Sequence, residues 1–419
     1  MLVENPARTA PVGIDDLNVY GSTLAVDFGA IAAARGASAR ELAATGFTRR
    51  SVTPPYEDPV TLAVNAALPL VTSAGRAAFD LLIVATESGV DYGKPLSAYV
   101  HEQLGLPSRC RNLELKHACY AGTGAIQLAA AGLRGSTSTE QKALVVMTDL
   151  ARQHVGDPAE FTAGTGAVAV SISRNPQVLE LEPYSGRACR EVYDVARPNP
   201  TYEWGDAVLS LAAYLDLLEA AWLDYGRSNG GPASLQQRFR YALYHTPLVS
   251  LAAQAHALLL EADAPDISDD EQRASFDAMV RPALGHAQQL ANIYSGSVYS
   301  VLAGLLDSAA EVSTGTRVAI CSYGSGSCAE IFSGRVAEAA RETVARHDIA
   351  EHLAQRAPVD VALYERLASE TDAMMVARDY EPAIDFVPGH FERSYRNRQR
   401  LVLRRIENHH RQYAWADAW

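Results

Sequence analysis

Short runs of apolar, β-forming residues alternate along this chain with helix-like segments rich in alanine and leucine, and this alternation strongly constrains the fold. The runs AFDLLIVAT (78–86), KALVVMTDL (142–150) and GAVAVSIS (166–173) have the length and apolar character of buried strands. Segments such as CYAGTGAIQLAAAGLRG (119–135) have the spacing of buried helices. Strands and helices in alternation predict an α/β protein.

The second half of the sequence follows the same pattern. YALY (241–244) and the segment 316–327 are predicted strands, the latter breaking into a Gly/Ser turn. Segments 335–354 and 391–413 are predicted helices. Each half therefore holds a buried strand that ends in a small-residue or reactive turn, which suggests a duplicated core.

Composition excludes several classes of protein. Lys and Arg number 36 and Asp and Glu 49, so the net charge of −13 argues against general nucleic-acid binding. No stretch is apolar enough for a membrane span, and the N-terminus has no secretory h-region, so we expect a cytoplasmic protein. The five cysteines form neither a CxxC pair nor a Cys/His metal spacing, which predicts reduced thiols and no metal site: Cys110, Cys119, Cys189, Cys321 and Cys328.

Three reactive side chains stand where predicted strands end. Cys119 opens a helix of small residues, where the positive end of the helix dipole would favour a thiolate. Glu87 directly follows a buried strand, where partial burial would raise its pKa and make it a usable base. His245 ends another strand and could donate to a carbonyl oxygen. Taken singly, each is more commonly structural: a buried cysteine, a loop acid or a core histidine. Together they supply a nucleophile, a base and an electrophilic donor.

Two Gly/Ser turns place small residues near one another. They are NIYSGSVY (292–299) and SYGSGS (322–327). The second is not a phosphate-binding P-loop, because no GxxxxGK[ST] pattern accompanies it.

Five motifs, in order, now carry a resemblance to a known family. ATESGVDYGK, KHACYAGTGAIQLA, YHTP, NIYSGSVY and CSYGSGSCAE resemble those of 3-hydroxy-3-methylglutaryl (HMG) synthases of the thiolase superfamily. The resemblance implies a duplicated five-layer α-β-α-β-α fold, with an N-terminal half over residues 1–172 and a C-terminal half with a helical insertion over 173–419. It also implies a homodimer.

The same resemblance assigns roles to residues. Cys119 would be the acylated nucleophile, Glu87 the base, and His245 the group beside the acceptor carbonyl. The residues expected to bind substrate are Asn292, Tyr323, Gly324 and Ser325, with the backbone N–H groups of Cys119 and Ser325 as oxyanion donors.

The stretches LNVYG (17–21) and PYEDPVTLAVNAA (55–67) and the short C-terminal region resemble those of a subgroup. This subgroup comprises the HMG synthase homologues of polyketide β-branching, which act on acyl groups borne by acyl carrier proteins. Coenzyme-A-dependent members usually carry Lys where this chain has Ser250. The resemblance implies a donor and an acceptor carrier protein as partners, with phosphopantetheine on those partners and no cofactor of its own. We expect the donor acyl group to be acetyl, with propionyl as the alternative because Gly124 and Gln153–His154 depart from the residues that relatives usually carry.

Carrier proteins are acidic, so docking requires local positive charge. Arg35, Arg49 and Arg50 are candidate contacts. A second basic group lies in the predicted last helix: Arg393, Arg396, Arg398, Arg400, Arg404, Arg405 and Arg411. The alternatives in function are a coenzyme-A-dependent HMG synthase of isoprenoid metabolism, a ketoacyl synthase III-like condensing enzyme, and a non-catalytic scaffold that docks carriers.

Overall fold

The computed structural model describes residues 11–150, 155–199, 202–229, 233–308 and 311–419. Their strands are β1 (Gly13–Tyr20), β2 (Leu24–Asp27), β3 (Arg49–Val52), β4 (Phe79–Ala85), β5 (Arg111–Leu115), β6 (Lys142–Leu150), β7 (Thr165–Ser173), β8 (Leu179–Cys189), β9 (Val195–Asn199), β10 (Tyr202–Gly205), β11 (Tyr241–Tyr244), β12 (Arg317–Gly324), β13 (Cys328–Val336), β14 (Ala357–Val359), β15 (Leu401–Glu407) and β16 (His410–Trp415). Their α-helices are α1 (Phe28–Arg35), α2 (Ala39–Thr45), α3 (Pro59–Ala74), α4 (Leu96–Gln103), α5 (Ala121–Gly135), α6 (Ala207–Ser228), α7 (Leu235–Arg238), α8 (Val249–Asp263), α9 (Asp269–Met279), α10 (Gly285–Leu290), α11 (Ser297–Asp307), α12 (Ala340–Ala345), α13 (Ile349–Ala354), α14 (Val361–Val376) and α15 (His390–Ser394).

The main sheet repeats one pairing scheme twice. Within the described residues nine strands follow the order β11-β12-β13-β8-β1-β7-β6-β4-β5. In the N-terminal part, β4 is parallel to β6, β6 is antiparallel to β7, and β7 is antiparallel to β1. In the C-terminal part, β11 is parallel to β12, β12 is antiparallel to β13, and β13 is antiparallel to β8. β1 and β8 then pair with each other in antiparallel fashion, so the structure confirms the predicted duplicated α/β core. The boundary at residue 172 stays a prediction.

Helices cover both faces of these strands. In β4 and β6, Ile83 and Val145 pack into the core cluster that contains α5, whereas Leu82 and Leu144 pack into the one that contains α3. This alternation is the period-two pattern of a strand buried on both faces. The inner helices α5 and α11 meet through a hydrogen bond between the Thr123 and Tyr299 hydroxyls of 2.7 Å.

The outermost layers are formed by α3 and α6. Thr148 of β6 donates to the Pro59 carbonyl of α3 at 2.8 Å. On the other side, the hydroxyls of Tyr225 in α6 and Ser333 in β13 lie 2.9 Å apart. The order α3, N-terminal strands, α5 with α11, C-terminal strands and α6 gives the expected five layers. None of the described helices is both long and apolar enough to cross a bilayer.

The predicted helix over 391–413 is wrong. Only α15 is helical there, and the chain continues as the hairpin of β15 and β16. Leu401 and Leu403 pack into the core cluster beneath α3, while Val402 packs on the opposite side, which is a strand alternation. Asn408 and His409 have φ values of 50° and 65°, as a two-residue hairpin turn requires.

The predicted continuous helix over 335–354 is also wrong. Its first residues end β13, and the remainder forms the separate helices α12 and α13. Asp348, between them, has a φ of 49°, a left-handed conformation that interrupts a helix.

Candidate active site

Cys119 lies in a single 3₁₀ turn, Ala118–Tyr120, directly before α5. Ala118 has a φ of 42°, an unusual conformation for a residue with a Cβ atom. The Ala118 N–H donates to Oε1 of Glu87 at 2.6 Å. The carboxylate of Glu87 thus touches the backbone that carries the thiol, and it helps to hold a strained turn of the kind found at functional sites.

The electrostatics of Cys119 oppose the expectation of a stabilised thiolate. Burial, and then the negative charges of Asp149, Glu87, Glu203 and Asp194, raise the pKa of the thiol well above its usual value. The helix dipole predicted a lowered pKa for this thiol, and that prediction is wrong in direction. Desolvation and four carboxylates outweigh the partial positive charge of about half an elementary charge at a helix N-terminus. Cys119 is therefore a neutral thiol at rest, and it must lose its proton as it attacks.

Glu87 stands on a short loop after β4 that is fixed from several sides. Its N–H donates to Oδ1 of Asp149 at 2.9 Å, and its carbonyl accepts from Nη1 of Arg197 at 2.7 Å. Burial is the largest influence on its carboxyl group and raises the pKa. A carboxylate with a raised pKa and a fixed backbone has the properties of a general base.

Asp149, the partner of that loop, is a second buried acid at the end of β6. Burial and the charge of Glu87 raise its pKa to about 8. Its Oδ1 also accepts from the Ser88 hydroxyl at 2.8 Å, while Oδ2 has no partner among the described residues. Because the charge of Glu87 raises the pKa of Asp149, the ionisation of Asp149 is coupled to that of Glu87.

Arg197, a residue that the sequence analysis did not single out, ties the Glu87 loop to the rest of the site. Besides the Glu87 carbonyl, its Nη2 donates to the Tyr294 hydroxyl at 2.9 Å and forms an ion pair with Glu203. The Tyr294 hydroxyl donates in turn to Glu203 at 2.8 Å. The β9–β10 hairpin and the turn at 294–296 thereby meet at Glu87.

His245 follows β11 directly and is 2% exposed. Its N–H donates to the Cys321 carbonyl at 2.9 Å, and its carbonyl accepts from the Tyr214 hydroxyl at 2.8 Å. Burial lowers the pKa of its imidazole to about 3, so the ring is neutral at physiological pH. Among the described residues Nδ1 has no hydrogen-bond partner, which leaves the ring to interact with a bound molecule.

β12 connects the histidine to the cysteine. It pairs with β11 beside His245, and the hydroxyl of its Ser322 accepts from Thr123, one helical turn beyond Cys119, at 2.8 Å. At its end, a Cβ on Gly324 would lie 2.3 Å from the Tyr120 nitrogen and 2.8 Å from the His117 carbonyl oxygen. Only glycine fits there, because the strand end presses against the turn that carries Cys119.

The other predicted substrate-binding residues surround this junction. Ser325 is half-buried next to Gly324, and the hydrogen bonds of the described residues leave the backbone N–H groups of Cys119 and Ser325 unused. The Tyr323 hydroxyl instead donates to Asp194 at 3.3 Å. The side-chain oxygen of Asn292 accepts from the Tyr294 N–H at 3.0 Å, so its amide nitrogen is the group left for a ligand.

The candidate docking arginines differ in exposure. Arg35 binds Glu160 and Glu365, at 2.9 and 2.7 Å. Arg50 is 4% exposed and donates to the Glu160 carbonyl at 3.2 Å. The guanidinium group of Arg50 is used inside the protein, which corrects its assignment to a docking surface, whereas that of the half-buried Arg35 stays a prediction. Arg49 is exposed.

The second basic group is divided by the hairpin fold. Arg411 is buried and pairs with Asp58 at 3.0 Å, and Arg400 lies beneath the ring of Tyr20. No single helical face carries these arginines together, which corrects the expectation of a basic last helix.

Two further expectations concern metal binding and the acyl pocket. In the part of the chain that is described, no group of three or more His, Cys, Asp or Glu side chains could hold a metal ion. Gln153 and His154, expected near the acyl pocket, lie outside the described residues.

Known families and structures resemble the chain over most of its length. The family model for the hydroxymethylglutaryl-coenzyme A synthase N terminal matches residues 8–177, and that for the C terminal matches 271–414. The polyketide biosynthesis 3-hydroxy-3-methylglutaryl-ACP synthase PksG of Bacillus subtilis (strain 168) is 35% identical over 418 residues, covering 96% of this chain and 99% of that protein. The hydroxymethylglutaryl-CoA synthase of Enterococcus faecalis is 28% identical, covering 92% of this chain and 100% of that one.

A solved structure agrees at the level of the fold. The curacin biosynthetic pathway HMG synthase in complex with holo donor-ACP superimposes with a TM-score of 0.92 at 35% identity, covering 97% of this chain and 100% of that one. The two matched halves, the full-length similarity and the shared thiolase-like fold lead to one conclusion. This chain belongs to the hydroxymethylglutaryl-coenzyme A synthase family of carbon–carbon bond-forming acyltransferases.

Proposed function

We propose that this enzyme condenses a Cys119-bound acetyl group, supplied by a donor acyl carrier protein, with the β-ketone of a polyketide intermediate on an acceptor carrier protein. The product carries a β-hydroxy, β-carboxymethyl branch. The observation that carries the proposal is the hydrogen bond from the Ala118 N–H to the half-buried Glu87 carboxylate, which puts a base against the backbone of the nucleophile.

The first step transfers the acyl group. The sulfur of Cys119 attacks the carrier thioester carbon, and the bond from that carbon to the carrier sulfur breaks. Because the thiol is neutral at rest, its proton must move during the attack, and Glu87 is the carboxylate placed to accept it. The proton then passes to the departing carrier thiolate, which leaves Glu87 ionised for the next step.

The second step forms the nucleophilic carbon. Glu87 removes a proton from the acyl methyl group, and the negative charge moves to the thioester oxygen as an enolate. The unused N–H groups of Cys119 and Ser325 are the donors that stabilise this oxygen. The contact of Gly324 with the Cys119 turn supports this assignment, because Gly324 precedes Ser325 and its backbone lies against residues on either side of Cys119.

The third step forms the carbon–carbon bond. The enolate carbon adds to the β-ketone, whose oxygen becomes an alkoxide and takes the proton held by Glu87. His245 contributes a hydrogen bond to this oxygen. Since burial keeps its imidazole neutral, with a pKa of about 3, the ring stabilises the oxygen as a donor and is not the acid. Water then cleaves the Cys119 thioester, which releases the new carboxyl group and restores the thiol.

We assign carrier proteins as the acyl donor and acceptor on two grounds. PksG and the curacin enzyme, which are similar to this chain over nearly their whole length, are named for ACP substrates or were solved with a donor-ACP. Ser250 replaces the lysine expected in coenzyme-A-dependent enzymes. Phosphopantetheine is then carried by the partners, and the enzyme works as a homodimer.

Intact-protein mass spectrometry with a competing pair of donors tests this proposal. Wild-type enzyme is mixed with equal concentrations of acetyl-carrier and isotope-labelled acetyl-coenzyme A, and the label on the acyl-enzyme is measured. We expect transfer from the carrier to dominate and no stable acyl-enzyme with Cys119→Ser. Adding β-ketoacyl-carrier should then yield the branched product.

The same experiment distinguishes the alternative. Preferential labelling from acetyl-coenzyme A would identify a coenzyme-A-dependent HMG synthase and contradict the carrier assignment. In a parallel reaction with propionyl-carrier, propionyl transfer at a rate equal to acetyl transfer would contradict the acetyl assignment. Acylation without any condensation product would contradict the assigned reaction.

A further inference from the structure

Cys189 and Cys328, which the proposed reaction does not use, face each other across two strands of the main sheet. Cys189 ends β8, Cys328 begins β13, and the two are direct partners in the antiparallel pairing. Their sulfur atoms lie 3.0 Å apart. We infer that these two thiols form a reversible thiol–disulfide couple, whose oxidised state tethers β8 to the active-site turn that carries Ser325.

The backbone of the pair suits a disulfide. The neighbouring residues Arg190 and Ser327 exchange both of their backbone hydrogen bonds, at 3.1 and 2.7 Å. Cys189 and Cys328 are therefore a non-hydrogen-bonded pair, in which Cα atoms are typically about 4.5 Å apart. Disulfides span Cα separations of roughly 4.4–6.8 Å, so the bond forms with little movement of the backbone.

The two thiols differ in their exposure to solvent. Cys189 is exposed, whereas Cys328 is 5% exposed. Burial, then the neighbouring Cys189 sulfur, raise the pKa of the Cys328 thiol. Cys189 is thus the thiol that meets a reagent from solvent, and Cys328 is the one that completes the reaction.

The oxidant is a low-molecular-weight disulfide such as oxidised glutathione. The Cys189 thiolate attacks one sulfur of that disulfide, a mixed disulfide forms, and one thiol leaves. Cys328 loses its proton and attacks the Cys189 sulfur, which releases the second thiol. The protein gives up two electrons and two protons, and one disulfide is reduced to two thiols. Excess thiol reverses both steps.

The location of the pair links it to catalysis. The turn Ser325–Ser327 connects β12 to β13 and ends at Cys328, and its Gly326 carbonyl accepts from the Val192 N–H, just beyond β8, at 2.9 Å. A covalent bond at Cys328 fixes the base of this turn to β8. Since the turn carries one of the assigned oxyanion donors, we expect oxidation to slow the condensation.

The test incubates the full-length enzyme in oxidised glutathione, quenches it in acid, alkylates the free thiols and maps peptides by mass spectrometry. We expect a peptide linked through Cys189 and Cys328 that disappears on reduction, with the buried Cys110 and Cys321 unmodified throughout. Glutathione adducts without the linked peptide, or no change at either thiol, would overturn the inference.

Matched variants distinguish the effect of the Cys189–Cys328 disulfide from the effect of oxidising Cys119. Cys328→Ala and Cys189→Ser should both fold and turn over in the reduced state, and neither should form the linked species. Turnover of the wild type should fall on oxidation and recover on reduction. Its fall should be larger than that of Cys328→Ala, because oxidation of Cys119 lowers turnover equally in both enzymes. Equal falls in the wild type and the variant would contradict the effect on the turn.

Discussion

Replacing Gly324 by alanine tests whether the end of β12 positions the catalytic turn. The added Cβ would lie 2.3 Å from the Tyr120 nitrogen, and ordinary contacts begin at 3.4 Å, so about 1 Å of separation must be opened. The neighbouring atoms are backbone and a Cβ, which cannot rotate away. Overpacking of this kind typically costs about 1–3 kcal/mol of stability. A shift of about 1 Å at a reacting group can cost roughly a hundredfold in rate.

Two measurements on the same preparation evaluate this variant. Urea unfolding gives the stability, and single-turnover condensation from preformed acyl-enzyme gives the rate. The matched control is Gly132→Ala on α5, where nothing lies within 4 Å of the new Cβ. Alanine in a helix should leave the rate unchanged and stabilise by about 0.5–1 kcal/mol. Gly324→Ala turning over within a factor of about three of the wild type would refute the argument, since a displaced turn should cost far more.

Four further outcomes follow from the structure. Exchange of the acyl-enzyme methyl protons with solvent should rise with pH through a midpoint above that of an ordinary glutamate, because burial raises the pKa of Glu87. Glu203→Gln should move that midpoint to lower pH by removing a negative charge that raises the pKa of Glu87; an unmoved or raised midpoint would show that this charge does not act on Glu87. Arg197→Met should slow condensation by about tenfold to a hundredfold, the equivalent of one charged hydrogen bond, with partial recovery in Arg197→Lys, and equal rates for all three enzymes would remove its positioning role. Arg49→Glu should weaken carrier binding at low salt more than at high salt, as titrations at two ionic strengths would reveal, whereas unchanged affinity would exclude this surface.

The strand ends that carry Glu87 and His245 could be predicted because each follows a short, continuous apolar run, whereas Cys119 follows the mixed polar and apolar strand β5. Such runs identify buried strands by composition alone, and the residue after the run then falls at the edge of the sheet. Gly324 was predicted as a substrate-binding residue. Its second role, which is to let β12 approach the Tyr120 backbone, could not be predicted. That role depends on a distance between two segments that are far apart in the sequence.

The features that sequence reasoning missed depend on contacts between distant segments. Arg197 and Asp149 belong to different strands, and their importance arises only from the hydrogen bonds that each makes to the Glu87 loop. The expectation of a thiolate favoured by the helix dipole also failed, since the carboxylates that raise the pKa of Cys119 come from separate elements. A signal was available for Asp149, an acid that directly follows a buried run in the same manner as Glu87.

The error at the C-terminus has a different cause. The segment 391–413 is rich in arginine and leucine, which favour helices, and this composition hid a strand alternation at 401–403. The asparagine at position 408 was the signal for a hairpin turn, because asparagine tolerates the left-handed backbone found there. The buried pair of Arg411 with Asp58 could not be foreseen, since the partners are far apart in the sequence.

The central claim is that Cys119 and Glu87 act in turn on one acyl group. Its most direct test loads Glu87→Gln and the wild type with a fully deuterated acetyl group from the donor carrier and follows the acyl-enzyme mass. We predict that the wild type loses deuterium to water and condenses, while the variant is acylated more slowly, keeps its deuterium once acylated and forms no branched product. Deuterium loss or condensation at near wild-type rate in Glu87→Gln would contradict the account.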